Sequence, residues 1–285
     1  MSRELTRVNF TNLDKVLYPE LKITKAQIIE YYIRLAPKML DFMADRPLVT
    51  TRFPDGVDKE GFYEKDIPAG APSWVETFKR YSESAKRDLN YVLCNSLDTL
   101  IWLSNLAALE IHVTLSKANS YENPDIVLFD IDPQSPANFD EVIDLALRLK
   151  EKLDSLGLLS WVKTSGKSGL HVVVPVVQGY TFRQTREFVH QVGKALAKES
   201  EVAVSELSES KKPGTIFIDY LQNSHGRTMA CPYSLRATPR ATVSTPLEWK
   251  DVKKGLKPDD FNLLNVERIK KNPWKNLMKN KQSLG

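Results

Sequence analysis

Ile126-Val127-Leu128-Phe129-Asp130-Ile131-Asp132-Pro133 is an apolar run that carries two acids near its end and stops at a proline. Its β-branched and aromatic residues predict a strand. The two-residue period of a strand puts Asp130 and Asp132 on one face, which Val127, Phe129 and Ile131 do not share. Two unpaired carboxylates on one face of an apolar strand repel each other and are costly to desolvate. Divalent cations would relieve that cost, and hard carboxylate oxygens suit Mg²⁺ or Mn²⁺. Thr215-Ile216-Phe217-Ile218-Asp219 predicts a second apolar strand that also ends in an acid. Three carboxylates converging from two strands could hold two metal ions about 4 Å apart, an arrangement suited to in-line phosphoryl transfer. An isolated Asp-x-Asp more often caps a turn in solvent; the third acid and the polar turns nearby favour metal binding.

Outward from this strand, Asn138 caps a helix expected over about 139–156, which Gly157 ends. A strand over 159–164, a glycine-rich turn, a strand over 170–177, a helix over about 182–198 and a strand over 215–221 follow. Upstream, Thr24 and Gln27 have the spacing of a capping box, and Ile28, Ile29, Tyr32 and Leu35 share one side of a helix over 21–43, with Pro37 an expected distortion. Strands are expected over 47–53 and 61–65, joined by a turn at Pro54-Asp55-Gly56, and over 89–94. Ser96 would cap a helix to about Leu109. Past Trp249 the pattern is helical in patches, and the end beyond Lys279 is expected to fray. The order strand, helix, hairpin, helix, strand gives an α/β (α+β) class around a sheet with an antiparallel pair.

The composition, 42% hydrophobic and 27% charged over 285 residues, fits a soluble globular protein. From Lys250 to Gly285, ten Lys/Arg face four Asp/Glu, a surplus of six; against a total of +4, the first 249 residues sum to −2. A uniformly basic nucleic-acid coat is thereby excluded, and any polyanion must be met by local patches or metal ions. Met1 to Pro19 lacks a secretory apolar core, and Asp98, Asn105, Glu110 and His112 interrupt the most apolar stretch, so no membrane span is expected. Cys94 and Cys231 exclude a framework of several disulfides and a cysteine-rich zinc module.

Thr164-Ser165-Gly166-Lys167-Ser168-Gly169-Leu170-His171 contains a Gly-Lys-Ser triplet, but Trp161 stands where a P-loop needs glycine, and a strand rather than a helix follows. What remains is a tight turn offering Ser165, Lys167, Ser168 and backbone N–H groups to an anion, with His171 at the start of the returning strand. Arg236, close in sequence to Asp219, is placed to neutralise phosphate charge. An Asp-x-Asp after an apolar strand also opens dehalogenase-type phosphotransferases, which expect Thr or Val where Gln134 stands; that reading ranks well below.

Together these motifs resemble the polymerase domain of bacterial ligase D, in the archaeo-eukaryotic primase superfamily. The resemblance rests on Phe129-Asp-Ile-Asp-Pro133, Ser165-Gly-Lys-Ser-Gly-Leu-His171, Ile218-Asp-Tyr-Leu-Gln-Asn223 and Tyr233-Ser-Leu-Arg236 through Ser244-Thr-Pro-Leu-Glu-Trp249. In the N-terminal half it rests on Asn12-Leu-Asp-Lys15, Thr51-Arg-Phe-Pro-Asp-Gly56, Gly61-Phe-Tyr-Glu-Lys65 and Glu110-Ile-His112. The series spans about residues 9 to 255, each motif weak alone and the order specific. Departures are Gln222, where some members have Arg, and Val113, where Pro is expected. The zinc motif of replicative primases and the ligase and phosphoesterase domains are absent, as in a stand-alone form or an excised domain.

The resemblance implies a primase-polymerase fold, a mixed, RRM-like catalytic sheet packed on an N-terminal α/β subdomain. One domain over 1–285 would divide into an end- and template-binding part (about 1–120), a catalytic part (about 121–249) and a basic segment (250–285). It implies metal ligation by Asp130, Asp132 and Asp219, with two Mn²⁺ or Mg²⁺ ions, and nucleoside triphosphate binding by Ser165, Lys167, His171 and Arg236, with Arg52 and His112 nearby. It implies a 5′-phosphate pocket for downstream DNA from Asn12, Lys15 and Lys25, and template stacking by Phe62 and Tyr63, one of which would otherwise be read as core. The expected activity is template-dependent nucleotidyl transfer with a ribonucleotide preference, filling gaps and extending broken ends in non-homologous end joining. Expected partners are 5′-phosphorylated gapped DNA or DNA ends, a Ku-type end-binding protein and an ATP-dependent ligase, in a cytoplasmic, nucleoid-associated setting. The alternative is a non-catalytic end-bridging module.

Overall fold

The computed structural model describes residues 7–82 and 85–285. In chain order its N-terminal elements are β1 (Val16–Tyr18), β2 (Ile23–Thr24), α1 (Lys25–Met43), β3 (Leu48–Arg52), β4 (Phe62–Glu64), β5 (Thr77–Ser82), β6 (Arg87–Val92), α2 (Leu97–Asn105) and β7 (Ala108–Thr114). There follow β8 (Ile126–Pro133), α3 (Phe139–Ser155), β9 (Trp161–Thr164), β10 (Leu170–Pro175), α4 (Phe182–Lys198), β11 (Ala203–Val204), β12 (Ile216–Asp219), β13 (Thr228–Ala230) and β14 (Pro246–Leu247).

The strand expected over 126–133 is β8, which lies third in a six-stranded sheet ordered β11-β12-β8-β10-β9-β14, directly between β12 and β10. It runs antiparallel to both β10 and β12, while β11 joins β12 in parallel, so the sheet is mixed. With α3 and α4 in its connections, the β8-α3-β9-β10-α4-β12 series is a split βαβ arrangement. Val127, Phe129 and Ile131 face these helices in a core with Val142, Leu149, Val189 and Leu196. Ile126 and Leu128, on the opposite face, enter a second core with Ile28, Tyr32 and Leu35 of α1 and Leu100 of α2. β8 is therefore buried on both faces until its second face emerges as Asp130 and Asp132. A four-stranded antiparallel sheet, β13-β7-β3-β4, and the β5-β6 hairpin complete the N-terminal side.

The helices begin where the capping residues place them. Thr24 with Gln27, Asn138 with Glu141 and Thr181 with Gln184 each form a complete capping box, and Ser96 caps α2. Pro37 lies within a continuous α1, and it and Ile33, whose carbonyl loses its helical partner, are both exposed, so water can serve that carbonyl. Two expectations need correction. The helix expected to reach Leu109 stops at Asn105, because Ala107 adopts φ 59° and turns the chain into β7. The C-terminal end does not fray: Gln282 N donates to Pro175 O at 3.1 Å, and its side chain clasps both backbone groups of Leu159. Among the described residues no helix is long and apolar enough to cross a membrane.

Candidate active site

Register assembles the acids. Asp219 on β12 and His171 on β10 both pair with Asp130, and Lys163 on β9 pairs with His171. Directly opposed residues share a face, so Asp219, Asp130, His171 and Lys163 form a row across four strands, with Asp132 one step further along β8. Asp132 is exposed, whereas the Asp130 side chain is 22% exposed. His171 Nε2 lies 3.3 Å from Asp130 Oδ1, Ser168 Oγ donates to Asp132 Oδ1 at 3.3 Å, and Leu221 N donates to Asp219 Oδ1 at 2.9 Å. Burial and the Asp130 charge raise the carboxyls of both Asp132 and Asp219. Burial works the same way on Asp130, but His171, Lys163 and Arg236 together hold it below the usual range. Among the described residues no three His, Cys, Asp or Glu side chains form a ready-made ligand cluster. Each acid has its own hydrogen-bond or ion-pair partner, and the mutual repulsion of the three is what a divalent cation would offset. Three hard oxygen donors on adjoining strands fit Mg²⁺ or Mn²⁺.

Among the described residues the buried His171 Nδ1 finds no hydrogen-bond partner, and burial and Lys163 push the imidazole down to about 4. Lys163 was not singled out by sequence, although a lysine amid Trp-Val-Lys-Thr in an apolar strand was a signal. It is fully buried, its ammonium donates to Ser244 Oγ, and burial lowers it to about 7.

The glycine turn docks on the end of β8. Ser165 Oγ accepts from Lys167 N at 3.2 Å and Gly169 N at 3.0 Å. Gly166 has φ +76°, and a methyl group on Gly169 would lie 2.1 Å from Ile131 O. Arg236, buried, donates through Nη1 to Ser165 O at 2.6 Å. Lys167, His112 and Arg236 all converge on Glu110, a residue that sequence reading quoted in a motif but gave no role. Burial works to raise the Glu110 carboxyl, but His112, Arg236, the Ala237 amide and Lys167 hold it far below the usual range. Arg52 does not join them: it pairs with Glu64 at 3.2 Å, donates to Leu106 O and lies over the Phe62 ring.

Phe62 and Tyr63 are both exposed, so neither is core. Their register opposite Arg52 and Thr51 sends them to different faces. Tyr63 lines a cleft of about 890 Å³ with His112, Tyr81, Tyr91, Gln222 and Arg227, whereas Phe62 lies outside that lining. Asn12, Lys15 and Lys25 are drawn together by backbone bonds at the start of α1: Lys15 N donates to Asn12 O, and Lys25 N to Lys15 O. The Lys15 ammonium lies 2.7 Å from Asp55 Oδ1. Lys25 is buried, donating to Thr11 O at 2.6 Å and Asn105 O at 3.0 Å, with its pKa lowered by burial and then by Lys15.

Known proteins resemble the chain as a whole. Residues 24–274 match the family model described as LigD, primase-polymerase domain. The chain is 34% identical over 93% of its length to the bifunctional non-homologous end joining protein LigD of Bacillus subtilis, covering 43% of that protein. It is 31% identical over 86% of its length to the multifunctional LigD protein of Mycolicibacterium smegmatis, covering 32% of it; the chain thus spans less than half the length of these relatives. The polymerase domain of Mycobacterium tuberculosis ligase D, solved in complex with DNA, superposes with a TM-score of 0.88 at 30% identity, covering 98% of this chain and 100% of that one. The chain belongs to the LigD primase-polymerase family.

Proposed function

We propose that the protein is a template-dependent nucleotidyltransferase that fills gaps and extends broken DNA ends in non-homologous end joining, with ribonucleotides preferred. The observation that carries this reading is the register that sets Asp219 opposite Asp130, with Asp132 on the same face, beside a cleft lined by His112 and Tyr63. Asp130, Asp132 and Asp219 would hold two Mn²⁺ or Mg²⁺ ions. Bound there, the cations supply charge neutralisation and a lowered primer-hydroxyl pKa. The chain's own groups do the rest. Lys167, Arg236 and the Ser165 turn bind the triphosphate, with His112 flanking; Arg52, held by Glu64, would need to leave that pair to reach it. The primer 3′-hydroxyl attacks the α-phosphate, and pyrophosphate leaves. His171, neutral at pH 7, donates Nε2–H to Asp130 and fixes that carboxylate. Tyr63 and Phe62 offer aromatic faces to the template end. Asn12, Lys15 and Lys25, at the capped start of α1, suit a 5′-phosphate.

The relatives are longer end-joining proteins, which supports action alongside an ATP-dependent ligase and a Ku-type protein. The antiparallel setting of β8 argues against the dehalogenase-type reading. Incubation with a gapped duplex, Mn²⁺ and labelled nucleotides tests the proposal. Elongation directed by the template supports it; none across metal and nucleotide conditions favours the bridging module.

A further inference from the structure

Glu110 lies within β7 with its side chain 7% exposed. Its Oε1 is 3.0 Å from Ala237 N, 3.2 Å from Arg236 Nε and 3.3 Å from Lys167 Nζ. Its Oε2 is 3.3 Å from His112 Nε2 and 3.5 Å from Arg236 Nη2. These donors come from three separate places: β7 itself, the turn between β9 and β10, and the loop after β13. Among the described residues this carboxylate alone touches all of them. Two cations so close, Lys167 and Arg236, repel one another, while burial lowers the His112 imidazole; Arg236 is itself buried, so an unpaired guanidinium there would be costly. One carboxylate offsets that cost and also sets the angles. It faces the Nε–Nη2 side of Arg236, with Nε at ion-pair distance but making no hydrogen bond and Nη2 donating at 3.5 Å, while Nη1 donates to Ser165 O in the turn that carries Lys167.

We propose that Glu110 is a positioning residue for the nucleotide site: it holds His112, Lys167 and Arg236 as a preassembled cradle for the triphosphate without itself contacting the phosphates. Charges ordered before binding lose less freedom on meeting their ligand. The proposal rests on the triphosphate role of these residues given above.

The test uses Glu110→Gln, which keeps the shape and removes the charge, and Glu110→Asp, which keeps the charge on a shorter arm. ATP binding is measured at equilibrium without DNA, alongside steady-state extension, affinity for gapped DNA and thermal melting. Loss of charge-assisted contacts should raise the nucleotide Kd and KM about tenfold or more in Glu110→Gln, with kcat within about threefold and DNA affinity unchanged. Glu110→Asp should recover part of that loss. Unchanged or lowered Kd and KM in both variants overturns the proposal, as does a parallel loss of DNA affinity. If Glu110→Gln does not fold, Glu110→Asp decides: raised nucleotide constants with intact DNA binding support the role, and wild-type constants overturn it. Wild-type extension is read separately. A protein whose ATP affinity depends on Glu110 yet extends no primer sinks the polymerase reading and leaves this one standing.

Discussion

At the scale of single residues, the buried cation Lys163 separates function from stability. Its ammonium faces Arg236, Cys231 and Asp130, and burial lowers its pKa from 10.5 to about 7. Between those values the unfolded chain binds a proton that the folded chain has lost, so stability rises with pH across that window. Below about 7 the cost is fully present; near 10.5 it has gone. Lys163→Met removes this cost, so its urea midpoint should exceed that of the wild type most at pH 7, with the gain shrinking by pH 9.5. An equal shift at both pH values, or a lower midpoint at pH 7, contradicts the assignment. The shared face of Asp130 and Asp132 was legible because alternation is the simplest rule of a strand and Asp130-Ile-Asp132 obeys it. Glu110 was not, because its importance lies in partners from three distant segments.

At the scale of elements, the capping residues located the starts of α1, α2 and α3, and Gly157, with φ +73°, stops α3 as expected. β7 was invisible for a physical reason. Residues 97–115 read as one apolar run, and the break between helix and strand falls on Ala107, a residue without turn preference held at φ 59°. β5, with an exposed Thr-Phe-Lys-Arg-Tyr-Ser sequence, has too little apolar alternation to announce itself. The turn between β9 and β10 makes a sharper prediction. Because a methyl group on Gly169 would sit 2.1 Å from Ile131 O, between the two metal acids, Gly169→Ala must push the turn off β8. Overpacking of this kind costs about 1–3 kcal/mol. Primer extension should fall at least tenfold while gapped-DNA binding persists; wild-type extension would mean that the turn does not set the acids.

At the scale of the whole molecule, two cores meet through β8, and a buried ion pair fastens the junction. Arg46, just after α1, donates to both carboxylate oxygens of Asp125, at 2.7 and 3.0 Å, immediately before β8. Both side chains are at most 3% exposed. Lys281, 3.6 Å from Asp125, stands at the edge of this pair. Arg46→Ala leaves a buried carboxylate short of its main partner and should cost about 3–5 kcal/mol in chemical denaturation; a loss below about 1 kcal/mol would show that Lys281 or water takes over. The central claim is that Asp130, between Asp219 and His171, forms the catalytic metal centre. Its most direct test is single-turnover extension of a 5′-phosphorylated gap by Asp130→Ala in Mn²⁺, with binding of the same gap measured in parallel. The account predicts extension reduced by at least a thousandfold with gap affinity within about threefold of wild type; normal extension by the variant would contradict it.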